Sequence, residues 1–296
     1  MDAAVIEPMW ALTLATALGL LVGSFLNVVI ARLPAMLERQ WRAECAELAA
    51  GDCDTANSAA TVDAGEPFNL VRPRSRCPHC DTMIRARDNV PVLSWLALGG
   101  RCRQCRHRIS VQYPLVEIAS AALTALAVAQ FGLGWTGAAV VVFSWILLAA
   151  AVIDLRTTLL PDDLTLPLLW LGLLAAAAGI GFASPVDAIV GAAVGYGVLW
   201  GLYQAFRLLT GKEGMGYGDF KLLAALGAWT GWQGLPVTIL LSSAVGAVIG
   251  LALIAFQGRD RAAPIPFGPF LAAGGWVALF WGDALTRAYL TWAVAG

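Results

Sequence analysis

Runs of about twenty apolar residues recur along this chain, and that pattern decides what it can fold into. Inside hydrocarbon there is no water to bond the backbone, so a crossing segment must satisfy its own N–H and C=O groups as a helix. Such segments can be read at roughly 10–31, 113–131, 136–153, 164–182, 186–206, 220–235, 236–256 and 266–282, the sixth and seventh meeting at Leu235–Pro236. Composition agrees: 59% of the 296 residues are hydrophobic, 13% are charged, and the mean hydropathy is +0.71. Soluble domains of this length seldom reach such values. The chain is expected to be an all-α polytopic membrane protein of about eight transmembrane helices. Its first run has no Lys or Arg before Arg32 and is longer than the apolar part of a signal peptide, so it reads as a retained anchor.

Orientation follows from the basic residues, which mark cytoplasmic loops. Of 19 Lys and Arg, 12 lie from Arg32 to Arg108. Arg156, Arg207, Lys212, Lys221, Arg259 and Arg261 also fall on the cytoplasmic side if there are eight spans and an external N-terminus, which leaves only Arg287 outside. The expected setting is the bacterial cytoplasmic (inner) membrane, multi-pass, with the large loop inside and both termini outside. Topology and membrane lipid account for these charges, and they imply no nucleic-acid partner.

The polar segment between the first two spans divides the chain into a first helix (1–32), a cytoplasmic four-cysteine insert (33–112) and a transmembrane bundle (113–296). The insert opens like a short amphipathic helix and passes into an acidic, alanine-rich stretch around Glu44 to Glu66, read as a variable surface loop. It then gives "CPHCDTMIRARDNVPVLSWLALGGRCRQC", two C-x2-C pairs through Cys77, Cys80, Cys102 and Cys105. Two tight turns of this kind can place four thiolates tetrahedrally about one Zn²⁺. Arginines crowd the cluster, and positive charge favours the thiolate form that binds metal. A closed four-sulfur site leaves no open position, so its role is structural. His79 and His107 are the only histidines, and Cys45 and Cys53 lack pair spacing.

With no other histidine, the bundle cannot hold a Ser-His arrangement or an H-E-x-x-H zinc motif. Its acidic residues carry more information, because carboxylates at membrane depth usually serve function. Asp154 closes the third span and Asp219 opens the sixth, which places both at the cytoplasmic face. Two carboxylates in one site can share a proton and so provide base and acid together. A helix cap explains Asp219 equally well on composition alone, and Asp162 and Asp163 after Pro161 look like caps of the fourth span. Gly191 and Gly195 have the spacing of helix packing.

At this point whole motifs match. "GMGYGDFKLLAALGAWTGWQ" (Gly214 to Gln233) resembles the glycine-x-glycine-aspartate signature of intramembrane aspartyl proteases and, in full, the type IV prepilin leader peptidases. "GSFLNVVIARLP", the cysteine insert followed by "ISVQYPLVEIASA", and "IDLRTTLLPDDLTLP" resemble the same family in the same order. The resemblance implies a bifunctional enzyme. Members cleave the basic leader of type IV prepilins and type II secretion pseudopilins, then methylate the new N-terminus using S-adenosylmethionine. It assigns catalysis to Asp154 and Asp219 and associates methyl transfer with the cysteine insert, where no G-x-G-x-x-G marks a cofactor site. Gly214, Gly216 and Gly218 leave backbone room for an extended substrate. Glu66, Asp81, Asp88, Glu117, Asp162 and Asp163 are candidates to receive leader Lys or Arg. A proton-coupled transporter and a zinc-organised scaffold are the competing classes. The first should show paired inverted repeats, and none is visible; the second should leave the aspartates dispensable.

Overall fold

The computed structural model describes residues 8–51, 68–257 and 265–295. Cys53, Glu66, Arg259, Arg261 and most of the acidic stretch ending at Glu66 lie outside the described residues. Among the described residues all regular structure is helical, apart from two isolated bridges, Arg76 to Met83 and Arg101 to Arg108. The helices are α1 (Met9–Gly51), α2 (Leu93–Ala97), α3 (Gln112–Phe131), α4 (Trp135–Thr157), α5 (Asp162–Ala177), α6 (Pro185–Thr210), α7 (Tyr217–Gln257) and α8 (Gly268–Ala295). The all-α expectation holds. Five stretches are long and apolar enough to cross a bilayer: Met9–Ala49, Gln112–Phe131, Trp135–Thr157, Pro185–Thr210 and Tyr217–Leu253. Of the other expected spans, the fourth is the 16-residue α5 and the last is the first part of α8.

Two boundaries differ from expectation. The short amphipathic helix expected after the first span is a continuation of α1, which runs unbroken through Pro34 to Gly51. The sixth and seventh expected spans are the two arms of α7, and the break between them falls at Gly231 rather than at Leu235–Pro236. Gly231 has φ 69° and ψ 174°, a conformation open to glycine and strained for other residues. Just beyond it, Trp232 Nε1 and Gln233 Nε2 donate to Asp187 Oδ1 on α6 at 3.0 and 3.2 Å, which anchors the chain where it turns.

The chain divides into two compact units, Leu12–Ala125 and Leu126–Gly296, the latter with the start of the chain through Ala11. In the first, α1 and α3 meet through small residues. A Cβ at Gly23 would lie 2.7 Å from Glu117 Cα, so the backbones touch. One turn on, Asn27 Nδ2 donates to Tyr113 C=O at 3.1 Å. Arg32 then reaches out to the carbonyls of Asn69 and Pro73 at 2.8 and 2.6 Å, tying the cysteine segment to the helix that carries it.

The second unit is a bundle packed around α7. Phe220, Leu222, Leu223 and Leu226 on its first arm are fully buried, with Phe143 and Ile153 of α4, Leu168 of α5 and Leu271 of α8. Gly191 and Gly195 do serve packing: no side chain fits at Gly191 against the Gly227 carbonyl, or at Gly195, where a Cβ would lie 2.6 Å from Leu223 O. Such close approach suits helices in lipid, where apolar burial cannot drive association. Trp229 Nε1 donates to Leu168 C=O at 2.8 Å, adding a polar tie between α7 and α5.

Candidate functional site

The site is built where α4 ends and α7 and α8 begin. α4 stops at Thr158, a left-handed residue (φ 53°) whose N–H bonds Asp154 C=O at 2.8 Å. This leaves Asp154 in the last turn, 4% exposed, with Oδ2 accepting the Gly268 N–H at 2.9 Å. Gly268 is the first residue of α8, so the carboxylate sits at a helix N-terminus, where unpaired N–H groups favour negative charge. The fit is tight: a Cβ at Gly268 would lie 2.7 Å from that oxygen and 3.1 Å from Leu160 Cδ1. Leu160 also presses on α7, with its Cβ 2.6 Å from where a side chain at Gly218 would begin. Asp154, Gly268, Leu160 and Gly218 thus form a continuous contact ending beside Asp219.

Asp219 lies in the first turn of α7 and is 8% exposed. Its Oδ1 is buried without a hydrogen-bond partner, so this oxygen does not cap the helix. Asp154 and Asp219 stand at the two ends of this run of contacts. The closest lysine in sequence, Lys221, is engaged elsewhere: its Nζ bonds both oxygens of Asp162 at 2.7 Å. That pair replaces the cap role expected of Asp162, since α5 starts after Pro161 with no side-chain cap. Of the glycines, Gly214 stacks under the Phe206 ring, Gly216 has open space around it and accepts the Asp219 N–H at 3.3 Å, and Gly218 meets Leu160.

Far along the chain, the two C-x2-C pairs fold identically. Cys77 N–H bonds Thr82 C=O at 3.0 Å and Cys77 C=O accepts from Asp81 at 2.9 Å; Cys102 bonds His107 and Arg106 in the same way at 2.9 and 3.1 Å. Asp81 and Arg106 take matching left-handed conformations, φ 53° and 59°. The turns bring the four sulfurs within 4.8 Å of one another, an arrangement that can hold a metal ion. Bonds from the Thr82 hydroxyl and backbone bring the Cys80 thiol down to about 6, ready to bind as thiolate. Cys105 goes the other way: against the pull of the His107 N–H, burial and the neighbouring thiols push it up to about 11. The histidine rings stack edge to face, centroids 4.4 Å apart.

The model of the bacterial peptidase A24 N-terminal domain matches residues 17–131, and that of the type IV leader peptidase family matches residues 141–251. The chain belongs to the type IV leader peptidase family. Among similar proteins, one from Stutzerimonas stutzeri is 54% identical over 94% of this chain and 93% of its own length. Others from Aeromonas hydrophila and Pseudomonas aeruginosa are 55% and 52% identical over 92% and 93% of this chain and 91% and 92% of their own. All three carry the name prepilin leader peptidase/N-methyltransferase. No solved structure gives a significant match.

In this leader peptidase family member the remaining site expectation, Glu117, falls in the Leu12–Ala125 unit with the cysteine segment, whereas the aspartates belong to the other unit. Glu117 is 7% exposed, its Oε2 accepts the Val92 N–H at 2.7 Å, and it lines a cavity. Asp81 and Asp88 are taken by Arg76 and Arg103; the Arg103 guanidinium holds the Asp88 carboxyl below its usual range. Gly268 and Leu160 went unread as site residues. The one signal for Gly268 was "PFGPF" at the head of the last span, a glycine between prolines where a helix must start.

Proposed function

We propose that this chain removes the basic leader of type IV prepilins and type II secretion pseudopilins at the cytoplasmic face of the bacterial inner membrane, and then N-methylates the residue it exposes. The observation that carries the reading is the pair of buried carboxylates, Asp154 fixed by a helix N-terminus and Asp219 with an oxygen left unbonded. Like charges this close resist ionising together, so one aspartate holds a proton while the other is a base. The base takes a proton from water as its oxygen attacks the scissile carbonyl. The protonated partner then gives its proton to the nitrogen as the C–N bond breaks.

The substrate fits the same place. A prepilin joins a basic leader to an apolar helix, which holds the scissile bond at the cytoplasmic interface. Open backbone at Gly216, with Gly214 and Gly218 either side, gives an extended chain room beside Asp219. Asp163, exposed and in no ion pair among the described residues, can meet a leader cation.

We assign one structural zinc to Cys77, Cys80, Cys102 and Cys105. A tetrahedral site with Zn–S of about 2.3 Å sets its sulfurs about 3.8 Å apart, and Cys77 Sγ to Cys105 Sγ is 3.8 Å. Methyl transfer is assigned to segment 33–112 with the helices that carry it, and peptide cleavage to the bundle within 113–296. S-adenosylmethionine, when bound, supplies the methyl group, and the accepting amine loses one proton.

Asp154→Asn and Asp219→Asn should each reduce leader cleavage by at least 10³-fold while the protein still inserts and binds metal. Cleavage at a tenth of the parent rate or more in either variant would refute the pair.

A further inference from the structure

A cavity of about 700 Å³ lies inside the Leu12–Ala125 unit, walled by α1, the cysteine segment and the start of α3. Small-molecule pockets range over about 300–1,000 Å³. Two carboxylates line it. Asp88 is paired with Arg103, but Glu117 has no Lys, Arg or His in ion-pair contact among the described residues. Its Oε2 accepts the Val92 N–H at 2.7 Å. A buried carboxylate is costly unless paired or used, and one at membrane depth marks function.

Asn27 supplies an independent sign. It is 3% exposed and lines the same cavity, and while its Nδ2 bonds Gly23 and Tyr113 carbonyls, its Oδ1 is buried without a partner. Buried acceptors are seldom left unmade. One wall therefore offers an anion and an orphan acceptor, the complement of a cation bearing N–H or O–H donors. Elsewhere the Trp95 ring, fixed by Nε1 donating to Ile109 C=O at 3.3 Å and packed on Gly100, gives a flat apolar surface. Arg85 and Arg108, in no ion pair among the described residues, offer forks for a carboxylate.

A sulfonium amino acid joined to a nucleoside has all of these: positive charge, ribose hydroxyls, a flat base and a carboxylate. We propose that this cavity is the methyl-donor site, with Glu117 the counter-charge to the donor's cationic end and Asn27 Oδ1 an acceptor for one of its donors. The assignment rests on the methyl-transfer reading above, and it moves Glu117 from leader binding to donor binding.

Calorimetric titration of the full chain in lipid nanodiscs with S-adenosylmethionine tests it without any turnover. Glu117→Gln should weaken binding at least tenfold, and Ala31→Trp, which fills the cavity from α1, should abolish it. Metal content reports whether each variant keeps its fold, and Ala31→Trp carries the test if Glu117→Gln does not. Parent-like affinity in the folded variants overturns the cavity assignment, as does a parent that methylates trimmed peptide but shows no donor binding lost on filling the cavity. A parent that methylates no trimmed peptide overturns instead the reading on which the assignment rests.

Discussion

Replacing Gly268 by alanine tests how the structure holds Asp154. The added Cβ would lie 2.7 Å from Asp154 Oδ2, whereas ordinary contact begins near 3.4 Å, so the carboxylate must withdraw by about 0.7 Å. Leu160 Cδ1 at 3.1 Å blocks the alternative of sliding α8 aside. Withdrawal also stretches the Gly268 N–H bond, and hydrogen bonds to charged groups are worth about 1.5–3 kcal/mol. A misplacement of about 1 Å costs roughly 10²-fold in rate, so a drop of about 10- to 100-fold, or about 1.4–2.7 kcal/mol, is expected. The assay is single-turnover cleavage of a prepilin in nanodiscs, which reads the chemical step apart from substrate binding. Gly197→Ala is the control, since a Cβ there meets nothing within 4 Å. A Gly268→Ala enzyme that cleaves within twofold of the parent, with Gly197→Ala alike, would show that Asp154 is not positioned by the start of α8.

Cys77→Ser and Cys102→Ser should each lower bound zinc well below one per chain by elemental analysis, because each removes one of four sulfurs from a closed site. Gly227→Leu forces a side chain against the Gly191 carbonyl; overpacking typically costs about 1–3 kcal/mol, and an unfolding temperature lowered by several degrees is expected. Arg103 holds the Asp88 carboxyl low, so that pair stabilises above the ordinary aspartate value of about 3.9 and the contribution is lost as pH falls. Unfolding temperatures of parent and Asp88→Asn should accordingly differ at pH 7 and draw together as pH falls below the ordinary aspartate value.

What could be read from the chain alone were features set by near neighbours. Apolar runs give helices because the backbone must bond itself in lipid, and two C-x2-C turns converge because each is a self-contained hydrogen-bonded loop. The break in α7 was sought at Pro236, yet that proline lies inside the second arm, one turn past the start of its helix. The break lies at Gly231, and its anchor is Asp187 on another helix. Asp154 and Asp219 were legible as carboxylates at span ends, but the Gly268 N–H that fixes Asp154 comes from 114 positions away. Likewise Asp162 looked like a cap until Lys221, 59 positions on, claimed it. Glu117 could be flagged as an acidic residue near a span start; that it faces a cavity depends on the fold of the cysteine segment around it.

The paired cysteine turns have one more consequence. Cys80 and Cys102 enclose 21 residues, Asp81 to Arg101, and a metal gripping both turns closes that stretch into a loop whose freedom is lost before any ligand arrives. Met83, Ile84, Asp88, Val92 and Trp95 in the loop all line the cavity, and so do Cys77 and Cys102. A metal bound there would act as a tether that pre-shapes the pocket, and occupancy of one site would be thermodynamically linked to occupancy of the other. A chelator that never enters the cavity should weaken whatever binds there.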